Sequence, residues 1–200
     1  MLKVALTGGI ATGKSYVVQE CLKRGVPCLD ADELSHGVMT AGTEATAAIA
    51  ERFGPEVLDA SGAVNRQVLG AKVFADAGAR RDLEAIVHPA VYRALAVGLR
   101  AFERMGGSAM AIADIPLLYE TGHAEDFDRV IATTCEPEIQ RARLAARGLT
   151  ALQIEQRLSA QIPAAEKAAR ADYAIDTSDS FESTNEQIDR LLAILLKSAS

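Results

Sequence analysis

Gly8-Gly9-Ile10-Ala11-Thr12-Gly13-Lys14-Ser15 follows the apolar run Val4-Ala5-Leu6 and fits the spacing G-x-x-x-x-G-K-[ST]. Every residue type in it suits a polyphosphate. Gly8 and Gly13 let the backbone take turns that a side chain would forbid, so successive N–H groups converge on one anion. A helix opening near Gly13 aims its positive end at the same point. Lys14 adds a full charge able to follow β- and γ-phosphates. Ser15 offers a hydroxyl to Mg²⁺, and Tyr16 adds a backbone donor toward the α-phosphate. Ala11 and Thr12 act through their backbone. A plain glycine-rich turn explains the glycines but not Lys14-Ser15, so the segment is read as a binding loop for ATP or a similar triphosphate.

Other chemistry-bearing residues lie further along. Asp30 and Asp32 end an apolar stretch. One reading is a general base or orienting acceptor for a hydroxyl that attacks the γ-phosphate, or an outer contact to Mg²⁺. The other is a helix cap, because Asp30 and Glu33 have capping-box spacing. Asp32 has no capping role and is the preferred base. Asp114 closes a later apolar run, where a carboxylate can hold Mg²⁺ through water or simply end a strand. Pro116 stops that strand, and Leu117-Leu118 can wall an acceptor pocket. Arg141, Arg143, Arg147 and Arg157 crowd one helical stretch. Such a hairpin can close over ATP, exclude water and spread positive charge over a migrating phosphoryl group. The competing reading is a solvated helix face. Arg141 and Arg147 are the choices for the phosphate. His88 precedes Pro89, which should kink or restart a helix and turn His88 toward an acceptor. His36 and His123 read as surface or packing residues.

The elements that must position these groups alternate at both ends of the chain. Strands are expected at 2–7, 26–30, 109–115, 129–134 and 173–176, with helices at 14–23 and 184–197. This strand–helix rhythm gives a parallel sheet covered on both faces, with ligands at the carboxyl ends of the strands. Residues 35–105 break the rhythm with helices at 44–53, 66–74 and about 80–104, and a loop at 54–63 carrying a Ser61-Gly62 turn. A second helical excursion covers 137–171, and Thr150 with Gln153 forms a capping box in it.

Composition bounds the function. The chain has 200 residues, 49% hydrophobic and 24% charged, without Trp, which gives a single sizeable core built on Leu, Ile, Val and Ala. A net charge of −6 argues against broad nucleic-acid binding. Cys21, Cys28 and Cys135 lack metal-ligand spacing and read as buried thiols in a reducing compartment. No apolar stretch has membrane-spanning length, and no signal peptide precedes the first strand, so a cytoplasmic protein without a membrane partner is expected. Oligomeric state is left open.

Taken together, several separated motifs resemble those of the dephospho-CoA kinase family. They are Leu6-Thr7-Gly8-Gly9-Ile10 running into Gly13-Lys14-Ser15; Asp30-Ala31-Asp32; Arg66 with Leu69 and Phe74; His88-Pro89; Pro116-Leu117-Leu118-Tyr119-Glu120; Arg141, Arg147 and Arg157 through Gln161; and Ala171-Asp172-Tyr173-Ala174-Ile175-Asp176. The resemblance spans nearly the whole chain. It implies a three-layer α/β P-loop kinase fold with a five-stranded parallel sheet. The core would comprise 1–34, 106–136 and 172–200, with a helical acceptor-binding insertion at 35–105 and a helical lid at 137–171. It implies transfer of the ATP γ-phosphate to the ribose 3′-hydroxyl of dephospho-coenzyme A, the last step of coenzyme A synthesis. Lys14, Asp32 and Arg141 would be catalytic, and Thr7, Asp32, Arg66, His88, Leu117 and Leu118 would meet the acceptor. Departures from the family pattern are Tyr16 for Thr, Ala11-Thr12 for a Gly-Ser pair, and Thr177 for Asn. The alternatives are another P-loop kinase acting on a small metabolite or nucleoside monophosphate, and a nucleotide-binding switch.

Overall fold

The apolar run at the N-terminus becomes the centre of a sheet because it can be buried on both faces. In the computed structural model, which describes residues 1–74 and 76–198, Val4, Ala5, Leu6 and Thr7 are all fully buried. The elements in order are β1 (Leu2–Gly8), α1 (Lys14–Lys23), β2 (Cys28–Asp30), α2 (Ala31–Val38), α3 (Glu44–Phe53), α4 (Arg66–Phe74), α5 (Ala77–Met105), β3 (Met110–Asp114), β4 (Arg129–Thr134), α6 (Pro137–Ala146), α7 (Ala151–Ser159), α8 (Ala164–Arg170), β5 (Tyr173–Asp176) and α9 (Phe181–Ser198). Position 75 of the expected insertion and positions 199–200 of the expected core lie outside the described residues.

The five strands form a parallel sheet of order β2-β3-β1-β4-β5. β1 pairs with β3 from Leu2↔Met110 to Leu6↔Asp114, and with β4 from Val4↔Arg129 to Gly8↔Thr133. This register brings the carboxyl ends of all three strands level, so Gly8, Asp114 and Thr133 rim one crevice. β1 is also where the chain order reverses, the usual place for a ligand in an open α/β sheet. One face of the sheet carries Val4, Leu6, Ile112, Ile131 and Ile175. It is covered by Val17 and Cys21 of α1 and by the stripe Ile188, Leu191, Leu192 and Leu195 of α9. Burying each large aliphatic in that layer contributes about 1.5–3 kcal/mol.

The opposite face is built of small residues, Ala5 and Thr7 on β1 and Ala132 on β4, which let a helix approach closely. That helix is α8, packed on β4, β1 and β5. The stretch 137–171, expected as a lid, therefore ends in a helix of the core layer. α6 and α7 precede it, packed on Ala11 through Leu144 and Ile154 and joined through a turn whose Thr150–Gln153 capping box is present.

The chain divides into two compact units, Met1–Leu29 with Leu99–Ser200, and Asp30–Gly98. The second unit is helical, with Ala45, Ile49, Phe53, Val57, Leu69, Val87, Val91 and Leu95 buried in it. Its helices are capped from the sequence: Thr43 Oγ1 accepts from Thr46 N, and Asn65 Oδ1 from the Gln67 and Val68 amides. Arg52 Nε donates to Asp82 Oδ2 at 2.8 Å. The segment 54–63 contains a single 3₁₀ turn, Pro55–Val57, and Leu58 bridges to Val64. The expected break at Pro89 does not occur, and α5 runs through it for 29 residues. A missing N–H removes one intrahelical bond, but buried Val87, Ala90 and Val91 on either side hold the remainder together.

Candidate active site

The segment between β1 and α1 is held from outside by its own carbonyls. Gly9 O accepts from Thr12 Oγ1 at 2.8 Å, Ile10 O from Gln140 Nε2 at 2.6 Å, Ala11 O from Arg143 Nη1 at 3.3 Å and Thr12 O from Thr177 Oγ1 at 2.9 Å. Four successive acceptors are thus satisfied, three of them by side chains from beyond the loop, while Ile10 N and Thr12 N donate to Gln161 Oε1 and Gly9 O. Helix α1 opens at Gly13 with no side-chain cap and no acidic residue in its first turn. The first-turn amides of Lys14 and Ser15 are therefore offered to an anion, together with the positive end of the helix.

The glycines act in two ways. Gly13 sits at φ +81°, a left-handed turn that lets the helix begin, and a Cβ there would also press on Thr177 at 3.1 Å. Gly8 does not supply a left-handed turn, as the sequence suggested. It is needed because a Cβ would stand 2.1 Å from Thr133 Oγ1 on β4. The other left-handed residue of the loop is Ala11, at φ +60°. Its methyl is buried against Leu144 of α6 and Ile154 of α7.

Lys14 Nζ is paired to Asp114 Oδ1, with side chains 15% and 7% exposed. Ser15 is exposed. A hydroxyl and one carboxylate near a phosphate loop fit Mg²⁺, which keeps several waters and takes substrate phosphate oxygens rather than a protein cage. Consistently, no cluster of three or more His, Cys, Asp or Glu able to hold a metal exists among the described residues. On the other face of the sheet, Lys167 is fully buried, with Nζ 2.7 Å from Pro116 O and 2.7 Å from Glu120 Oε1. Burial pulls its ammonium below the usual lysine range, Glu120 opposes that, and Lys14 is near enough to add to it.

Two cavities flank the loop. One, of ≈ 280 Å³, is bounded by Gly9, Ile10, Gln140, Arg141, Gln161 and Ala164. The other, of ≈ 290 Å³, is bounded by Gly13, Tyr16, Arg143, Thr177, Asp179 and Phe181. Tyr16 and Phe181 stack at its wall with ring centroids 4.6 Å apart.

The candidate residues distribute unevenly. Thr7 is fully buried and donates to Pro116 O at 3.2 Å, and Leu118 is fully buried as well. In this structure neither offers surface to a ligand. Leu117, 37% exposed, is the residue of the pair that does. Arg141 is exposed on α6 and paired to Glu155 of α7, Nε to Oε1 at 2.9 Å, while bordering the first cavity. Arg147 and Arg157 are exposed. The arginine on the loop is Arg143, which also donates to Thr177 Oγ1 at 2.9 Å and Thr177 O at 2.6 Å. Asp30 is the N-cap of α2, accepting from the Asp32 and Glu33 amides. Asp32 is exposed on α2, Arg66 is exposed at the start of α4, and His88 is half-buried on α5. These three belong to the second unit.

Sequence reasoning passed over Gln140, Lys167 and the loop-binding roles of Gln161 and Arg143. Gln161 Oε1 accepts from Ile10 N at 3.1 Å. The i, i+3 spacing of Gln140 and Arg143 on one helical face was a usable signal. Lys167 gave none, since a lysine in a short polar helix reads as solvated.

A parallel sheet with a phosphate loop at its switch point, arginines on a following helical hairpin and a helical unit inserted after β2 define a P-loop phosphotransferase. The family model for dephospho-CoA kinase matches residues 2–183. A dephospho-CoA kinase of Anaeromyxobacter dehalogenans is 45% identical over 196 residues, 98% of this chain and 92% of that protein. One from Geobacillus kaustophilus is 40% identical over 97% of this chain and 95% of the relative. Among solved structures, TT1252 of Thermus thermophilus superposes with a TM-score of 0.80 at 30% identity, covering 97% of both chains. The Campylobacter jejuni dephospho-CoA kinase, at 23% identity, shares the fold with a TM-score of 0.76 over 99% of this chain and 98% of its own. The chain belongs to the dephospho-CoA kinase family, ATP-dependent kinases of the last step of coenzyme A synthesis. No described helix is long and apolar enough to cross a membrane.

Proposed function

We propose that residues 8–15 receive the triphosphate of ATP and that the γ-phosphoryl group passes to the ribose 3′-hydroxyl of dephospho-coenzyme A. The observation that carries this reading is the capture of the Ile10, Ala11 and Thr12 carbonyls by Gln140, Arg143 and Thr177 beside a helix start with no side-chain cap, which supports amide donors facing an anion. Lys14 and the α1 amides neutralise phosphate oxygens. Ser15 and Asp114 are the residues that would hold Mg²⁺, which supplies charge neutralisation between the phosphates when bound. In the transfer, the acceptor oxygen forms a bond to the γ-phosphorus, the bond to the ADP oxygen breaks, and the hydroxyl proton goes to Asp32. Arg141 and Arg147, on the α6–α7 hairpin, come to the phosphates with hairpin closure, which excludes water. Arg66, His88 and Leu117 contact the acceptor. The cavity at Tyr16, Phe181 and Arg143 offers flat surfaces for the nucleobase, and three unpaired thiols suit a reducing cytoplasm.

The test is ADP release by the purified protein with ATP and Mg²⁺, with and without dephospho-coenzyme A, and with nucleoside monophosphates as rival acceptors. Release should depend on dephospho-coenzyme A, and the product should carry phosphate on the ribose. Equal ADP release without any acceptor would favour the switch reading instead.

A further inference from the structure

Lys167 has a role that its burial makes hard to explain as packing. Bringing an ammonium out of water costs several kcal/mol, and an apolar side chain of similar size would fill the same space at less cost. Its contacts show what the cation holds. Nζ meets the Pro116 carbonyl and the Glu120 carboxylate, each at 2.7 Å. The same carbonyl accepts from Thr7 Oγ1 of β1 at 3.2 Å, and the same carboxylate oxygen accepts from the Ile162 amide, ahead of α8, at 3.0 Å. Arg170, one turn further along α8, lies over the Tyr119 ring at 4.2 Å. The segment 116–120 is therefore fastened at three points to α8 and its entry. That segment leaves β3 two residues after Asp114, the carboxylate paired to Lys14. Asp114 is the last residue of β3, paired to Leu6 of β1, and only Ile115 separates it from Pro116.

We propose that Lys167 is a positioning residue for phosphoryl transfer: through the Pro116 carbonyl and Glu120 it fixes the exit of β3, and so sets Asp114 opposite Lys14. The inference rests on the reading that Asp114 serves the metal-bound phosphates. Partners that orient such a group commonly cost about 10–100-fold in activity or metal affinity when removed.

The experiment uses the whole chain. The variants are Lys167→Arg, the double change Lys167→Met with Glu120→Gln, which avoids an orphaned carboxylate, and Asp114→Asn. For each, kcat, both substrate KM values, the Mg²⁺ concentration for half-maximal rate and Tm are measured. The double variant should lose about tenfold or more in kcat and need more Mg²⁺, with ATP KM nearly unchanged. Lys167→Arg should recover most of that loss. A double variant that keeps both kcat and Mg²⁺ demand within about twofold of the parent, while Asp114→Asn is impaired, overturns the inference. If Asp114→Asn itself leaves rate and Mg²⁺ demand intact, the reading of Asp114 fails, and a rate loss in the Lys167 variants cannot then pass through that carboxylate. Should the double variant not fold, Glu120→Gln alone carries the same comparison in milder form.

Discussion

Arg143 Nη1 stands 2.9 Å from Thr177 Oγ1, and that same hydroxyl donates to the Thr12 carbonyl of the phosphate loop. A helix after β4 and the turn after β5 are thereby joined on the outside of one loop. Thr177 has a definite duty here: it buttresses the backbone of the phosphate loop. Gly13 needs it to be compact, since a Cβ there already crowds Thr177.

The first prediction separates two neighbouring arginines. Arg143→Ala removes bonds from a charged donor to Ala11 O, Thr177 Oγ1 and Thr177 O. Bonds of that kind are worth about 1.5–3 kcal/mol, so ATP KM should rise about 10–100-fold and Tm should fall. Arg141→Ala breaks an ion pair between two exposed side chains, so Tm should hardly move and the loss should appear in kcat. Thermal melts and steady-state kinetics on both variants check the split. Equal Tm and equal ATP KM would remove Arg143 from the loop's support.

Ala11 yields a second prediction, decided by magnitudes. A left-handed L-residue costs about 1–2 kcal/mol, which Ala11→Gly would relieve. Against this stand the loss of a buried methyl, about 0.8 kcal/mol, and the greater freedom of glycine in the unfolded chain, about 0.4–1 kcal/mol. The terms nearly cancel, so denaturant melts of Ala11→Gly should lie within about 1 kcal/mol of the parent. Ala11→Val adds a β-branch at φ +60° and volume against Leu144 and Ile154, and should cost clearly more. A Val variant as stable as the Gly variant would contradict the backbone conformation described for this residue.

What the sequence made legible follows the reach of local signals. β4, β5, α1, α3 and α4 lie where their hydrophobic patterns end, and the capping pairs at Asp30 and Thr150 are formed. Pro89 misled because a proline rule is local, whereas the continuity of α5 comes from packing on both sides of it. The burial of Thr7 and Leu118 was not legible, because motif membership says nothing about exposure. The supports of the loop, Gln140, Arg143, Gln161 and Thr177, reach it from more than 100 residues away in the chain, and no window of sequence contains both ends of such a contact.

The assignment of roles between Asp30 and Asp32 gives a third prediction. Asp30 is committed to two amides of α2, so Asp30→Ala should cost about 0.5–2 kcal/mol of stability in a melt. Asp32→Asn should leave Tm alone and depress kcat by about 10²–10⁴-fold with little change in ATP affinity. Lys14→Ala should lower kcat by about 10²–10³-fold. If Asp32→Asn turns over normally while an Asp30→Asn variant does not, the two carboxylates must exchange roles.

Stability should fall on the acid side. The Arg24 guanidinium beside Asp189, the Arg141 guanidinium beside Glu155, the Lys72 ammonium beside Glu56 and the Ala79 and Gly78 amides on Asp76 each hold a carboxyl below its usual range. The unfolded chain then binds more protons near its ordinary carboxyl values. The stability from these groups is complete above the ordinary carboxyl values and is lost as pH drops through their lower folded values. Lys167 has the same sign at the alkaline end: its lowered ammonium means that stability gains as pH rises through its folded value toward the ordinary lysine range. Melts from pH 3 to pH 9 in low salt should show the acid decline. A flat profile down to pH 3 would mean that these carboxyls titrate alike in both states.

Thiol chemistry supplies the last prediction. Burial pushes the Cys21 thiol up to about 11 and the Cys28 thiol up to about 12, and it raises Cys135 as well, against the opposing pull of Arg143. At pH 8 the thiolate fraction of Cys21 is about one in a thousand, and that of Cys28 is smaller still. Since the thiolate is the reactive form, a disulfide exchange reagent at pH 8 should leave all three thiols of the native protein largely unmodified over minutes. In guanidinium chloride the same reagent should find all three at once. Cys28 is the most exposed of the three, but its thiol is pushed up to about 12, whereas Cys135 borders the cavity beside Gly9, Gln140 and Arg141. Any slow native reaction should therefore map to Cys135 by mass spectrometry of the labelled peptides, and ATP with Mg²⁺ should slow it further if nucleotide binding draws α6 and α7 toward the loop. Rapid labelling of Cys21 in the native protein would instead mean that α1 separates readily from α9, and would place the weakest point of the fold directly behind the phosphate loop.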